Sequence, residues 1–197
     1  MTDCGLLLFT RFPAPGHTKT RLIPVLGAAG AANLQRQMTE SLIDRLGGVL
    51  AALSLQVYFT GGTLGQMQAW LGHERSLLPQ GEGDLGERLS RAFQQGFASG
   101  LQRVVVVGSD CPLLGVPQVM AAFAKLRTHD VVIGPATDGG YYLMGLSSLR
   151  APLFEQIPWG SDRVFEMTRA IALQHNLSVA LLETLSDIDR PEDLAQL

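Results

Sequence analysis

The sequence has little cysteine, little charge and no long apolar run, and each shortage excludes a class of protein. Cys4 and Cys111 form no Cys-x-x-Cys pair, so neither a disulfide framework nor a thiolate zinc site is expected, and a reducing cytoplasm fits best. Charged residues make up 17% of the 197 residues and hydrophobic residues 46%; an average protein has about 25% charged residues. This composition excludes a disordered chain or a coiled coil.

Neither nucleic acid nor a membrane is an expected partner. The net charge of -3 contains no block of one sign, so broad attraction to nucleic acid is not expected. The uncharged stretch 46–72 is interrupted by glycines and polar residues, and Asp3 stands where a signal peptide carries positive charge. We therefore expect a cytoplasmic protein with no membrane span.

Short apolar runs separated by helical patterns are what the chain does have. The strand-like runs are 5–10, 55–59, 104–107, 131–134 and 141–146, and the helical stripes are 34–46, 85–97, 117–126 and 161–175. Asp84 and Glu87 have the spacing of a capping box, and Gly100 stands at the other end of that helix. The alternation predicts one α/β domain over 1–197, a three-layer α/β/α fold with a mainly parallel mixed sheet and an antiparallel late strand at 141–146.

The loop after the first strand carries two cations in a segment stiffened by Pro15 and Gly16. Lys19 and Arg21 lie two residues apart, so in an extended segment both would point to one side. A lysine and an arginine beside a helix amino terminus suit a polyphosphate, although a solvated surface loop is the open alternative. We expect neither cation to have a buried partner. Arg11 belongs to the same predicted nucleotide site.

The sequence Gly108-Ser-Asp-Cys-Pro112 follows the run of valines directly. An aspartate at the carboxyl end of a buried strand is where a doubly wound sheet places a metal-binding carboxylate. We therefore predict that Asp110 binds a metal and that Ser109 contacts the nucleotide. Capping of the next helix is the alternative role for both residues.

Two later segments carry further candidate residues. Asp138 precedes Gly139 and Gly140, which is the pattern of a hairpin turn but also of a backbone that a ligand approaches closely. There, Tyr141 or Tyr142 could pack against a sugar or base ring.

Asp187 and Asp189 precede a predicted helix at Pro191 in an extended step. They could therefore share a cation or simply cap that helix.

The segment 81–86 matches G-x-G-x-x-G, but Glu82 and Asp84 stand where a pyrophosphate would bind. We therefore exclude a dinucleotide fingerprint.

These segments together resemble one family. The matching sequences are FTRFPAPG with KTRL, GDLGER, GSDCP, TDGGYY and DIDRPED, and they span essentially the whole chain. They are similar to the small glycosyltransferase-like proteins associated with radical-SAM and selenodomain proteins, within the nucleotide-diphospho-sugar transferase superfamily of GT-A fold. The KTRL loop also resembles that of the 2-phospho-lactate guanylyltransferases.

The resemblance implies a metal-dependent transferase. Asp110 would match the last aspartate of a D-x-D motif that binds Mg2+ or Mn2+, but Gly108 replaces the first aspartate, so Asp189, with Asp187 beside it, is the expected second ligand. Lys19 and Arg21 would join Asp110 as catalytic residues by neutralising the leaving group. Asp138, Gly139, Gly140 and Tyr141 would contact the substrate.

The reaction stays open between two transfers. We expect transfer of a sugar from a nucleotide-diphospho-sugar donor to a small-molecule acceptor, with transfer of a nucleotide and release of pyrophosphate as the alternative. The incomplete D-x-D motif leaves a third possibility, a nucleotide-binding module without turnover. The sequence does not give the oligomeric state.

Overall fold

A computed structural model describes residues 3–50 and 53–197 of the chain. The strands are β1 (Cys4–Arg11), β2 (Ser54–Thr60), β3 (Ser76–Pro79), β4 (Arg103–Gly108), β5 (Val131–Pro135), β6 (Tyr141–Leu146) and β7 (Val179–Leu181). The α-helices are α1 (Ile23–Leu50), α2 (Leu64–Leu71), α3 (Leu85–Ala98), α4 (Val116–Lys125) and α5 (Val164–Gln174). Short 3-10 helices lie at Thr20–Leu22, Ala151–Phe154 and Pro191–Gln196.

All seven of these strands belong to one sheet, in the order β3-β2-β1-β4-β6-β5-β7. Every pairing is parallel except those of β6, which runs antiparallel to both β4 and β5. The mainly parallel α/β fold and the antiparallel late strand are therefore confirmed. The short edge strand β7 was not predicted, because its three residues carry no period that distinguishes them from a loop.

Helices cover both faces of the sheet and make the three predicted layers. One apolar cluster contains Leu42 of α1, Met67 of α2 and Phe123 of α4. A second cluster, on the opposite face, contains Phe93 of α3 and Ala172 of α5. The central strands alternate between the two clusters and are buried on both faces, as parallel strands must be when helices cover them.

Residues next to α3 and α5 determine where these two helices begin. Asp84 accepts a hydrogen bond from the backbone N–H of Glu87, whose side chain accepts one from the N–H of Asp84, so the predicted capping box is confirmed. These two carboxylates occupy the amino terminus of α3, which agrees with the exclusion of a dinucleotide fingerprint there. α5 begins at Val164, three residues after the predicted start at Ser161, because Gly160 and its neighbours form a turn first.

The topology brings four segments to one edge of the sheet. The carboxyl ends of β1 and β4 are side by side, since Phe9 is paired with Gly108. The β5–β6 turn lies at the same edge, and the segment after β7 joins it where Ala136 bridges to Leu185. Ligands of doubly wound sheets bind at this edge. Among the described residues, no helix is both long enough and apolar enough to cross a membrane.

Candidate functional site

Lys19 lies at the centre of the site. Its Nζ atom lies 2.9 Å from Asp110 Oδ1 and 3.5 Å from Asp189 Oδ1, and it donates a hydrogen bond of 2.6 Å to the carbonyl oxygen of Ile188. The Lys19 side chain is only 4% exposed, whereas the two carboxylates are 44% and 41% exposed. The expectation that Lys19 has no buried partner is wrong, because the carbonyl group that accepts its hydrogen bond belongs to Ile188, which is buried.

Arg21 reaches the same carboxylate from the solvent side. Its Nη1 atom donates a hydrogen bond of 3.1 Å to Asp189 Oδ2, and its side chain is 61% exposed. The extended segment predicted for Lys19 and Arg21 is not observed, because Lys19 has left-handed backbone angles (φ 45°, ψ 50°) and Thr20–Leu22 form a 3-10 helix. The two cations nevertheless converge, since each contacts one oxygen of Asp189.

The turn that precedes Lys19 is held by its own hydrogen bonds. Arg11 Nη1 donates to the carbonyl oxygen of His17 over 2.8 Å, and Thr18 Oγ1 donates to the carbonyl oxygen of Phe12 over 2.9 Å. Gly16 has a φ of 82°, a conformation that glycine adopts without steric cost. The loop is therefore an ordered wall beside Lys19.

Asp110 lies opposite this loop, directly after β4. Its backbone carbonyl accepts a hydrogen bond of 2.9 Å from the N–H of Ile188, which fixes the segment carrying Asp187 and Asp189 against β4. The Oδ1 atom of Asp110 is buried and lies 2.9 Å from Lys19 Nζ, so this oxygen forms an ion pair that is shielded from solvent. The Asp110 side chain as a whole is 44% exposed, so part of the carboxylate is accessible to a ligand.

A buried polar cluster lies beneath Asp110. Gln35 Nε2 donates to Ser109 Oγ over 2.9 Å, and the hydroxyl groups of Thr10 and Thr39 lie 2.9 Å apart. The Ser109 hydroxyl also donates to Thr10 Oγ1 over 3.3 Å. Ser109 is 3% exposed, so its hydroxyl links β1, β4 and α1, and a nucleotide contact by this residue stays a prediction.

Two cavities meet at Asp189 and Arg21. The loop cavity, of about 400 Å³, is lined by Arg11, His17, Thr18, Lys19, Thr20, Arg21, Gln35, Asp110 and Asp189. The acidic cavity, of about 410 Å³, is lined by Arg21, Thr137, Asp138, Gly160, Ser161, Asp162, Asp187, Asp189, Arg190 and Asp193. The first carries most of the cations and the second most of the carboxylates, so the pair can hold two ligands that touch at Asp189.

Asp138 is both a turn residue and a residue of the acidic cavity. Its Oδ1 atom accepts a hydrogen bond of 2.8 Å from the N–H of Gly140, which closes the β5–β6 turn. A Cβ atom on Gly139 would overlap the carbonyl oxygen of Asp162, so the close backbone approach predicted for this glycine is to the 160–162 loop. Burial, followed by the nearby Asp138 carboxylate, raises the pKa of Asp187 to about 6.

The predicted aromatic platform is not formed by Tyr142. Its ring packs against Gly134 inside the core, and its hydroxyl donates to the carbonyl oxygen of Glu183 over 3.0 Å. Tyr141 packs edge to face on Trp159, with ring centroids 6.4 Å apart, and its hydroxyl is buried. The alternation along β6 sends one ring to each core cluster, so the pair cannot form one exposed surface.

The carboxylates of the site offer oxygen ligands for a hard divalent cation, but they do not form a complete coordination shell. Asp110, Asp187 and Asp189 offer oxygen ligands, and partial burial raises the pKa of Asp189 while the Lys19 ammonium opposes this shift. Within residues 3–50 and 53–197, no three acidic, histidine or cysteine side chains form a ready-made metal cage. Mg2+ typically takes one or two carboxylates and completes its shell with water and phosphate oxygens, so this donor set fits a metal that arrives with a nucleotide.

Sequence reasoning missed several residues that line the cavities. Gln35 lies four residues before Thr39 on α1, and this polar pair beside an apolar stripe was the available signal. Ser161 and Asp162 line the acidic cavity, although their segment has no motif of its own, and Arg190 lines it from the DIDRPED segment. Ser161 and Asp162 reach the site because the turn before α5 packs on the β5–β6 turn, where Phe165 N–H donates to the Gly139 carbonyl oxygen.

A solved structure shares this fold over nearly the whole chain. A "putative nucleotide-diphospho-sugar transferase" from Desulfovibrio desulfuricans G20 has 34% sequence identity and a TM-score of 0.91, covering 96% of this chain and 84% of that one. This similarity, together with that to curated guanylyltransferases, indicates that the chain is a transferase with the nucleotide-diphospho-sugar transferase and nucleotidyltransferase fold. The predicted GT-A fold is thereby confirmed.

The chain belongs to the family DUF2064, described as an uncharacterized protein conserved in bacteria, whose model matches residues 43–161. It is 32% identical to a 3-phospho-D-glycerate guanylyltransferase from Phenylobacterium zucineum, over 90% of this chain and 83% of the relative. It is 27% identical to a 2-phospho-L-lactate guanylyltransferase from Methanothermobacter thermautotrophicus, over 100% and 84% respectively. The predicted likeness to guanylyltransferases therefore extends far beyond the KTRL loop.

Proposed function

We propose that this protein transfers a guanylyl group from GTP to the phosphate of a small phosphorylated acid and releases pyrophosphate. The observation that carries the proposal is the meeting of the loop cavity and the acidic cavity at Asp189 and Arg21. A transfer reaction needs donor and acceptor sites that share a boundary. The similarity to two guanylyltransferases along the chain favours this reaction.

The donor would occupy the loop cavity. Lys19 and Arg21 would neutralise the triphosphate, while Arg11, Pro15 and Gly16 would form the wall beside it. In the reaction, an acceptor phosphate oxygen forms a bond to the α-phosphorus. The bond from that phosphorus to the bridging oxygen of pyrophosphate breaks, and the electron pair leaves with pyrophosphate. Cations that stabilise this growing charge lower the barrier.

The acceptor would occupy the acidic cavity. Thr137, Ser161 and Arg190 offer hydrogen-bond donors there, and Arg21 lies at the boundary with the donor. Asp138, Gly139 and Gly140 would shape this cavity through the β5–β6 turn, with Tyr141 supporting the turn from the core. An anionic acceptor beside so many carboxylates requires a cation, which is a second reason to propose a divalent metal.

Asp110 and Asp189, with Asp187, would hold Mg2+ or Mn2+. When bound, this ion supplies charge neutralisation at the phosphates. Asp110 lines the loop cavity and Asp189 lines both cavities, and the partial exposure of the two side chains leaves them accessible to an incoming metal and nucleotide. One domain over 1–197 and an association with radical-SAM or selenodomain proteins stay predictions.

Sugar transfer is the second candidate, because the similar structure from Desulfovibrio desulfuricans carries the name of a nucleotide-diphospho-sugar transferase. The loop cavity would then hold the nucleoside diphosphate that leaves, and the acceptor would attack the sugar instead of the α-phosphorus. Mass spectrometry of the products separates the two reactions. Consumption of a nucleotide sugar, with release of nucleoside diphosphate and no pyrophosphate from GTP, would select sugar transfer.

The test incubates the protein with GTP, Mg2+ and either 3-phospho-D-glycerate or 2-phospho-L-lactate. We expect stoichiometric pyrophosphate and a guanylylated acid, with loss of both products in Asp110→Asn. Asp44→Asn, which changes an exposed aspartate on α1, is the matched control and keeps wild-type turnover. No pyrophosphate with any phosphorylated acid would contradict nucleotidyl transfer.

A further inference from the structure

Lys19 occupies a position that resembles that of a bound metal ion. Its ammonium group lies among three oxygen atoms from two separate segments: Asp110 Oδ1 at 2.9 Å, Asp189 Oδ1 at 3.5 Å and the Ile188 carbonyl oxygen at 2.6 Å. The Lys19 side chain and Asp110 Oδ1 are buried, while the Asp110 and Asp189 side chains as a whole are 44% and 41% exposed. Lys19 therefore contacts the same two carboxylates that we propose as metal ligands.

We propose that Lys19 acts as an exchangeable substitute for the divalent cation. Without metal, its ammonium holds Asp110 and Asp189 together; when a metal–nucleotide complex binds, the metal takes the carboxylates and Lys19 moves to the phosphates. This inference rests on the proposed nucleotide and metal site. It adds that metal and nucleotide bind cooperatively, because each relieves a cost that the other creates.

The contacts of Lys19 allow such an exchange. The Ile188 carbonyl accepts a hydrogen bond of 2.6 Å from Nζ, whereas the contacts with Asp110 and Asp189 are ion pairs of 2.9 Å and 3.5 Å. An ion pair depends mainly on charge, so a competing cation can take the place of the ammonium beside these carboxylates. The loop cavity, which Lys19 also lines, gives the ammonium a second place to go.

Charge explains why the exchange needs both ligands. A divalent ion beside Asp110 and Asp189 would repel the Lys19 ammonium, and this repulsion weakens metal binding when no nucleotide is present. The phosphates of a nucleotide offer the displaced ammonium a new anionic partner. Lys19 also has a left-handed backbone, which costs a non-glycine residue free energy and persists only where contacts hold it.

The first experiment measures Mn2+ binding by titration calorimetry, with and without GTP. In Lys19→Met we expect Mn2+ alone to bind at least about five-fold tighter than in the wild type, the low end of a typical coupling between sites. GTP affinity should fall in the same variant, and the enhancement of Mn2+ binding by GTP should shrink. A purely structural role for Lys19 would lower both affinities together.

Lys125→Met is the matched control, because Lys125 on α4 is the only other lysine in the sequence. This variant should match the wild type for Mn2+ and for GTP. Mn2+ affinity in Lys19→Met equal to or below that of the wild type would overturn the exchange. Failure of Mn2+ to bind wild-type protein even with GTP would overturn it as well.

A second measurement follows Lys19 in the unaltered protein. With only two lysines, lysine labelled with carbon-13 at Cε gives two side-chain signals, which Lys125→Arg assigns. Mg2+ and GTP together should shift the Lys19 signal and leave that of Lys125 unchanged; an unmoved Lys19 signal at saturation would overturn the proposal. Neither experiment needs turnover, so binding with exchange but no product would contradict only the proposed reaction.

Discussion

Lys19 and Asp189 are ion-paired at 3.5 Å, although one follows the first strand and the other precedes the last 3-10 helix. The pair joins the loop after β1 to the segment after β7 across the carboxyl end of β4, where Asp110 also contacts Lys19. The cations of the loop and the carboxylates of the late segment thereby become one site. Its chemistry depends on a tertiary contact that neither segment could form alone.

Loss of the buried cation should destabilise the protein more than loss of the exposed one. We expect Lys19→Met to lower the free energy of unfolding by about 1–3 kcal/mol, since two carboxylates and a carbonyl oxygen lose their shared partner. Arg21→Gln should change it by no more than about 0.5 kcal/mol, because the side chain is mostly exposed. Urea denaturation without metal tests both, and equal effects would contradict the assigned burial.

The hydrogen bond between Gln35 and Ser109, in the polar cluster beneath Asp110, should contribute measurably to the free energy of unfolding. We expect Gln35→Ala and Ser109→Ala each to cost about 1–3 kcal/mol, because each leaves a buried polar group without a partner. In a double-mutant cycle the two changes should be non-additive by more than about 0.5 kcal/mol. Gln37→Ala, which alters an exposed position on the same helix, is the control for lost glutamine. Strict additivity would show that the 2.9 Å hydrogen bond contributes nothing.

The turn at Gly139 should tolerate a side chain less well than the nearby turn at Gly160. Both glycines have positive φ, 89° and 84°, so alanine is strained at each. A Cβ atom at Gly160 meets open space, whereas at Gly139 it overlaps the backbone of Asp162. We expect Gly160→Ala to cost about 1–2 kcal/mol and Gly139→Ala clearly more. Equal melting temperatures for the two variants would contradict this packing.

Protonation of Asp130, which precedes β5 at the end of the strand opposite the candidate site, should make stability depend on pH. The side-chain hydroxyl and backbone N–H of Ser178 donate hydrogen bonds to this carboxylate and lower its pKa below the ordinary value, and Arg150 adds to the shift. A lowered folded pKa means that the contribution is complete above the ordinary pKa, about 3.9, and is lost as the pH falls through the folded value.

Urea denaturation from pH 7 to pH 3 tests this sign. The difference in unfolding free energy between wild type and Asp130→Asn should be constant down to about pH 5 and shrink below about pH 4. Asp44→Asn provides the comparison for removal of an exposed carboxylate. A difference that grows on acidification would contradict the direction of the shift.

Much of the fold could be predicted because its signals are local. Runs of valine and leucine that are apolar on both faces indicate buried parallel strands, and the Asp84–Glu87 spacing indicates where α3 begins. β7 escaped detection because three residues on a sheet edge have no period to recognise. The left-handed Lys19 also escaped detection, since nothing in the residue itself favours that backbone conformation.

The site was harder to predict, because its residues meet only through tertiary contacts. Asp110 and Asp189 could be singled out by their positions after a strand and before a helix. The burial of Lys19 depends on the Ile188 carbonyl and on the path of the 186–193 segment, which no local pattern reveals. Tyr141 or Tyr142 was expected to pack against a sugar or base ring because of the glycines beside them, whereas the strand alternation places the Tyr142 ring in the core.

The position of β6 between β4 and β5 has a consequence for how the chain acquires its site during synthesis. When β4 leaves the ribosome it can pair with β1, but its other neighbour is made only after β5. Asp187 and Asp189 are made later still, after β7 has joined β5. A nascent chain that has not yet reached residue 187 therefore lacks the Ile188 carbonyl and the Asp187 and Asp189 carboxylates, so the complete site can form only late in synthesis.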